Sequence, residues 1–314
     1  MALHVVVGKG PVGTTTADLL AARGHRVRVL SRSGGTSTDA VEHRRVDAAD
    51  ADALAAAADG AAALYNAVNP AYHRWVTDWP PVATALLTAA ERTGAVLVTM
   101  SNLYGYGAPT GPMSPGSPLA ATDAKGRVRV AMWREALAAH EAGRVRVTEA
   151  RAADFVGPQV PAGHSHLVRQ LPALRRGRRA WVVGDPDVLR SWAYLPDVAA
   201  TLVTLGTDER ALGRAWHVPS APPRSQRQAL ADLAAALSSP AHPTPPARVG
   251  RIPWSVLRGL ALVSPMVREV VDIRHQFDRE YVVDASATTA TFGLAPTPWD
   301  EVVSATAGAV PAIA

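Results

Sequence analysis

The sequence contains no cysteine. Disulfides, thiolate-held zinc, iron–sulfur clusters and thiol catalysis are thereby excluded. Lysine is nearly missing as well: Lys9 and Lys125 stand against thirty arginines. An arginine- and alanine-rich, lysine-poor chain reflects a GC-rich genome. That accounts for the isoelectric point near 9.9 more simply than a nucleic-acid partner does. No apolar run is long and uncharged enough to span a bilayer. The alanine-rich stretch 51–64 carries Asp52, Asp59 and Gly60, which rules out a span. Residues 1–7 read as a strand with no basic start and no cleavage site. No signal peptide is therefore expected, and the protein is expected in the cytoplasm.

What is present is a globular composition. Apolar residues make up 48% and charged residues 19% of 314, which suits one large domain or two intimate ones. The first 150 residues alternate apolar strands with amphipathic helices. The strands are read at Leu3–Val7, Val27–Leu30, Arg44–Val46, Ala62–Ala67, Ala95–Met100 and Val145–Ala150. Helices are read at Val12–Ala22, Asp50–Ala58, Pro81–Thr93 and Gly126–His140. Gly24, Gly60, Gly94 and Gly143 follow helical patterns as helix stops do. Near-continuous apolar strands between helices predict an α/β, doubly wound parallel sheet. Its ligand crevice lies at the carboxyl ends of the strands. From residue 151 to 314 proline rises, helices dominate and strands (Ala180–Val183, Ala215–Val218) are scattered. This predicts a smaller, mainly helical substrate lobe, with some segments returning to the sheet. Pro240–Pro246 reads as a surface connection. Arg175–Arg176–Gly177–Arg178–Arg179 reads as a solvated loop before a strand rather than a nucleic-acid patch.

Gly8–Lys9–Gly10–Pro11–Val12–Gly13 follows the first strand and opens the first helix, a G-x-G-x-x-G in its required context. Gly8 permits the tight turn, Gly10 lets backbone approach a pyrophosphate, and Gly13 lets helix pack on strand. The second strand ends in Ser31–Arg32–Ser33, and no acid occurs between Asp18 and Asp39. An NAD site places an acid there, roughly 20 residues after the glycines. Arg32, with Ser31 and Ser33, would instead hold a 2′-phosphate. A charge-assisted hydrogen bond contributes about 1.5–3 kcal/mol, roughly 10- to 100-fold in affinity. The expected cofactor is NADP(H), preferred over NAD(H).

These residues resemble the start of an extended or atypical short-chain dehydrogenase/reductase of the NAD(P)-dependent epimerase/dehydratase type. Four further segments carry the resemblance in order. Asp47–Ala48 resembles the adenine-contacting position. Tyr65–Asn66–Ala67–Val68–Asn69–Pro70 resembles the segment lining the cofactor after the fourth strand. Arg151–Ala152–Ala153–Asp154–Phe155–Val156–Gly157–Pro158 resembles the turn that meets the nicotinamide. Trp192–Ala193–Tyr194–Leu195–Pro196–Asp197–Val198–Ala199 resembles the aromatic–Val–x–Asp–Val–Ala element. The resemblance implies cofactor contacts at Ala67, Val68, Asn69, Lys125, Asp154 and Phe155.

The family's catalytic set is a Ser or Thr followed by Tyr-x-x-x-Lys. No Tyr-x-x-x-Lys stands near the helix before the sixth strand, which reads Thr122–Asp123–Ala124–Lys125–Gly126–Arg127–Val128–Arg129. Counting back from Arg151 by the family's spacing puts Lys125 at the Tyr position and Arg129 at the Lys position. If Lys125 is instead the family's Lys, the Tyr position falls on Ala121. Either way the phenol is gone. For the Ser, Tyr106–Gly107 as the family's Tyr-Gly pair gives Asn102, and Tyr104–Gly105 gives Met100. Asn102 is preferred, since its amide can still orient a carbonyl, and Ser101 stays a candidate.

Carbonyl reduction needs a hydride from the cofactor and a proton from elsewhere. Arg129 is effectively never deprotonated and would stabilise an oxyanion or hold ribose hydroxyls. Lys125, Tyr104 and Tyr106 are the candidate donors, unless the substrate supplies its own acid, such as a phenol beside the carbonyl. Substrate contacts are expected at Trp75, Tyr104, Tyr106, Met113, His164, His166 and Trp192. His164–Ser165–His166 has no acidic partner nearby, so no metal is expected. The reading is an NADP(H)-dependent ketoreductase acting on an aromatic or polyketide-like small molecule. The absent phenol and GC-rich composition resemble ketoreductases that tailor aromatic polyketide antibiotics of the simocyclinone type. The alternatives are a nucleotide-sugar epimerase or dehydratase that regenerates its cofactor, and a non-catalytic NADP-binding sensor. A monomer or homodimer is expected, with a small-molecule substrate and neither nucleic acid nor membrane as partner.

Overall fold

The computed structural model describes residues 1–238 and 243–309. Six strands and four helices alternate first: β1 (Leu3–Val7), α1 (Pro11–Ala22), β2 (Arg26–Ser31), β3 (Val41–Arg45), α2 (Ala51–Ala57), β4 (Ala61–Asn66), α3 (Trp75–Thr93), β5 (Val96–Asn102), α4 (Ala124–Glu141) and β6 (Val147–Ala152). There follow β7 (Asp154–Val156), α5 (Leu171–Arg175), β8 (Ala180–Val183), β9 (Leu189–Arg190), β10 (Trp192–Tyr194), α6 (Leu195–Leu205), β11 (Ala215–His217), β12 (Arg224–Ser225), α7 (Gln226–Leu237) and β13 (Val249–Ile252). The chain ends in α8 (Trp254–Ala261), α9 (Pro265–Asp272), α10 (His275–Asp278), α11 (Ser286–Phe292) and α12 (Trp299–Gly308).

The main sheet runs β11-β6-β5-β4-β1-β2-β3, and every pairing in it is parallel. Parallel strands covered on both faces need apolar side chains throughout. Val5, Val6 and Val7 of β1 accordingly expose 2% or less. One face carries α1 and α6 over Val6, Leu20, Tyr65 and Leu202. The other carries α2, α3 and α4 over Val5, Leu54, Trp79 and Leu97. Strand order reverses between β1 and β4, which places the crevice beyond their carboxyl ends.

Gly24, Gly60, Gly94 and Gly143 have φ of +79°, +69°, +70° and +70°, the left-handed conformation of helix stops. Most boundaries shift by one or two residues from the sequence reading, and two shift further. β3 begins at Val41, not Arg44, because an edge strand needs few apolar residues and Glu42 and His43 give no hydrophobic signal. α3 begins at Trp75, not Pro81, and runs through Pro80 and Pro81. Trp75 and Trp79 sit one turn apart with 3% and 0% exposure. Burying two indoles outweighs the backbone bonds two prolines forfeit.

β6 spans residues 147–152, and β11 returns from the second half to the sheet edge beside it. The second half builds its own core from α5, α7 and α12 around Leu171, Leu230 and Val302. The arginine run 175–179 is the end of α5 and a turn at Gly177 before β8. Residues 240–242 of the proline-rich stretch lie outside the described residues. Helices α8–α10 form a separate unit: Trp254, Leu257, Ile273 and Phe277 pack together and against Tyr72 and Tyr104. Among the described residues no helix is long and apolar enough to cross a membrane.

Candidate functional site

The glycine elbow is built by close backbone approach. Gly8 turns at φ +110° and its N–H donates to Leu30 O at 2.8 Å. A Cβ on Gly8 would lie 2.5 Å from Ala67 O, and one on Gly13 would lie 1.9 Å from Gly8 O. Both glycines are therefore required by the protein itself. Gly10 is different: a Cβ there meets nothing within 4 Å. Gly10 is the N-cap of α1 and offers no side chain, Pro11 fills the first turn, and half-buried Val12 follows. The helix N-terminus thus keeps unsatisfied N–H groups beside open space, the arrangement that receives a phosphate. Across from it, Ala67 N donates to Val7 O at 2.9 Å and Val68 N to Asn66 Oδ1 at 3.2 Å. Asn69 is exposed.

At the end of β2, Ser31 Oγ and Lys9 Nζ both donate to Gly34 O, at 3.1 and 2.8 Å. They fix the turn that carries exposed Arg32 and Ser33. The Arg74 hydrogen bond holds the Asp78 carboxyl below the usual range, with a smaller contribution from Arg32. Asp47 is exposed and its carboxylate accepts from Ala49 N at 3.0 Å; Ala48 is half-buried.

Around the end of β5 the expected catalytic residues separate. Asn102 Oδ1 accepts from Tyr104 N at 3.1 Å, so it shapes the following turn. Ser101 is buried and lines a small recess with Asn102, Arg129, Glu149 and Arg151. Arg129 is 7% exposed. Its guanidinium carbon lies 4.6 and 4.3 Å from the ring centres of Trp75 and Trp79, and its Nε and Nη1 have no hydrogen-bond partner. Burial pulls its pKa down to about 10, which leaves it charged at neutral pH. Lys125 is sealed in: its Nζ donates to Tyr72 O at 2.6 Å, pairs with Glu269 at 2.7 Å and sits 4.1 Å above the Tyr72 ring. It is not poised as a free donor.

Tyr106 faces the core. Its hydroxyl accepts from Arg151 Nη1 and donates to His217 Nε2, both at 2.7 Å. His217 Nδ1–H in turn donates to Asp284 O at 3.0 Å. Glu149 pairs with Arg151 at 2.7 Å. This buried chain links β6 and β11 to the C-terminal segment and leaves Tyr106 no proton for a ligand. Met113 also leaves the crevice wall: it is 1% exposed and its backbone bonds to Val282 and Asp284. Trp192, 3% exposed, packs in the core of the second half. Trp75 is buried beneath Arg129. His164 is exposed.

Tyr104 has the opposite fate. The Tyr72 hydroxyl donates to the Tyr104 hydroxyl at 3.2 Å, and Tyr72, Trp75 and Tyr104 form an aromatic wall. Asp154 is ion-paired with buried Arg190. Burial works against the Asp154 carboxylate, but Arg190, then His166, outweigh it and hold the carboxyl below its usual range. Burial pushes His166 down to about 4, and its ring meets Phe277 edge-on. Half-buried Phe155 accepts Ser165 Oγ at its carbonyl. Sequence reasoning did not single out Tyr72, Arg190, Glu269 or Tyr281. Only Tyr72 carried a signal, standing just after the Asn69–Pro70 segment. Among the described residues no cluster of three His, Asp or Glu side chains could hold a metal.

A doubly wound parallel sheet with a glycine elbow at its switch point defines a dinucleotide-binding fold. The chain belongs to the NAD dependent epimerase/dehydratase family, whose family model matches residues 5–218. Among solved structures, the Bordetella bronchiseptica enzyme WbmH in complex with NAD+ superposes with a TM-score of 0.75 at 18% identity, over 98% of each chain. A putative epimerase from Burkholderia cenocepacia gives 0.77 at 20%, over 98% of this chain and 97% of that one. The UDP-glucose 4-epimerase of Thermotoga maritima with UDP-glucose gives 0.76 at 14%, over 98% of each. No curated protein matches the chain.

Proposed function

We propose that this chain is a nicotinamide-dinucleotide oxidoreductase acting on an oxygen-bearing carbon of a small molecule. The observation that carries the reading is Gly10: a side-chain-free N-cap beside open space, between two glycines the protein needs for itself. When bound, the dinucleotide supplies or accepts a hydride. Gly8–Gly13 and Ala67–Val68 would hold it, with Arg32 and Ser33 at its adenine end. Exposed Arg32 and the absence of an acid after β2 favour a 2′-phosphate, hence NADP(H).

Two substrate readings follow. Family membership and the sugar-nucleotide enzymes among the solved neighbours favour a nucleotide sugar, with the cofactor regenerated in each cycle. They support that reading better than a polyketide ketone. The ketoreductase reading, including an antibiotic-type aromatic ketone, is favoured by the absent Tyr-x-x-x-Lys. The experiment that separates them supplies NADPH or NADH with a panel of aromatic ketones, and NAD+ with UDP-hexoses. Stoichiometric loss of the reduced-cofactor absorbance supports ketoreduction. Sugar conversion without net loss supports the epimerase type. Calorimetry showing no uptake of any of these dinucleotides would overturn the whole reading.

A further inference from the structure

Four polar candidate side chains lie between the end of β5 and the first turns of α4, and three are unsuited to give a proton. Lys125 is closed off by Glu269 and Tyr72 O. Tyr106 is bonded in both directions, to Arg151 and His217. Arg129 stays charged between two indoles. Tyr104 remains, at the carboxyl end of β5, receiving a hydrogen bond from Tyr72. Among the described residues no acceptor takes the proton of Tyr104 itself.

The surroundings of the two phenols are asymmetric. Tyr104 faces Arg129 of α4 and Arg190 of β9 as well as the donating Tyr72; against these stands Asp154 of β7, with burial the largest influence. Tyr72 faces the carboxylates Glu269 and Asp154, with the Lys125 ammonium over its ring. Tyr281 lies close to both Tyr104 and Asp154. Burial, then Asp154, raise the Tyr104 phenol to about 12, so it holds its proton at neutral pH, while the Tyr72 hydrogen bond, Arg190 and Arg129 act the other way. Glu269 and Asp154 disfavour negative charge on Tyr72.

We infer that Tyr104 exchanges the proton of the substrate oxygen and that Tyr72 is its positioning residue. The inference rests on the hydride-transfer reading above. As a carbonyl carbon takes a hydride from a reduced nicotinamide dinucleotide, the Tyr104 O–H bond breaks and its proton joins the carbonyl oxygen. The carbonyl is reduced to the carbinol and the dinucleotide is oxidised. The Tyr104 phenolate keeps the Tyr72 hydrogen bond and takes a proton back from water. In the opposite direction the same phenolate removes the carbinol proton.

The test combines ¹³Cζ-tyrosine resonances of the free protein with turnover of acetophenone and 2′-hydroxyacetophenone. Tyr72→Phe should move the Tyr104 resonance without any cofactor; an unmoved resonance overturns the pair, whether or not either ketone is accepted. Tyr104→Phe should lower kcat at least about 100-fold with KM and dinucleotide affinity unchanged. Tyr72→Phe should lower kcat less than Tyr104→Phe does, with KM unchanged. Full turnover by Tyr104→Phe, on the hydroxylated ketone alone or on both, overturns the inference and leaves hydride transfer standing. Loss of dinucleotide uptake by the unaltered protein overturns the underlying reading instead.

Discussion

Gly10 and Gly13 look alike in the motif and differ in what surrounds them. Gly13→Ala places a Cβ against backbone at 1.9 Å and should cost about 3 kcal/mol or more, measured by urea unfolding. Gly10→Ala touches nothing in the protein. It should leave stability within about 0.5 kcal/mol while weakening dinucleotide uptake at least tenfold. If Gly10→Ala binds the dinucleotide normally, the phosphate does not sit at this N-cap. Arg32→Ala should lower NADPH affinity roughly 10- to 100-fold and leave NADH affinity unchanged; equal losses for both would refute the 2′-phosphate assignment. The glycine elbow was readable in the sequence because one local turn between β1 and α1 holds it. The state of Lys125 was not, since its partner Glu269 stands 144 positions later and no local pattern joins them.

Helices α8 and α9 form a hairpin that packs against Tyr72 and Tyr104 and is fastened to α4 by the Lys125–Glu269 pair. Lys125 is 2% exposed and Glu269 25%, so removing the carboxylate strands a buried ammonium. Glu269→Gln should destabilise the protein by about 1–3 kcal/mol, less than a fully buried pair because Glu269 keeps contact with water. Hydrogen exchange over residues 254–272 should accelerate; unchanged protection would mean the hairpin is held by its apolar contacts alone. Most elements of the first half were readable because β1, β4 and β5 are continuous apolar runs and glycine ends each helix. The start of α3 was hidden by Pro80 and Pro81, whose local preference yields to tertiary burial of Trp75 and Trp79. The hairpin's docking onto Tyr72 and Tyr104 depends on side chains from opposite ends of the chain, which periodicity does not report.

Acid should loosen the fold through histidines that are buried uncharged. Burial depresses both His4 and His217 to about 4 from an ordinary value of 6.5, with His25 adding to the effect at His4 and the Asp284 carbonyl opposing it at His217. Above pH 6.5 neither state binds the extra proton. Between 6.5 and about 4 the unfolded chain binds protons the folded chain refuses, so stability falls as pH falls. Each histidine contributes up to about 1.4 kcal/mol per pH unit in that window. Urea unfolding at pH 7 and pH 5 should register the loss, and His217→Asn should flatten the slope; an unchanged slope would mean His217 is not the group responsible.

The order in which the sheet is completed also bears on biosynthesis. β6 ends at Ala152, but β11, which covers its open edge, ends only at His217. About 65 residues must be added between them, roughly 3–13 s at ~5–20 residues per second on the ribosome. Throughout that interval the nascent sheet offers Val147–Ala152 as an unpaired edge. Slow translation of residues 153–217 is therefore the stage at which chaperone attendance matters most for the yield of this enzyme.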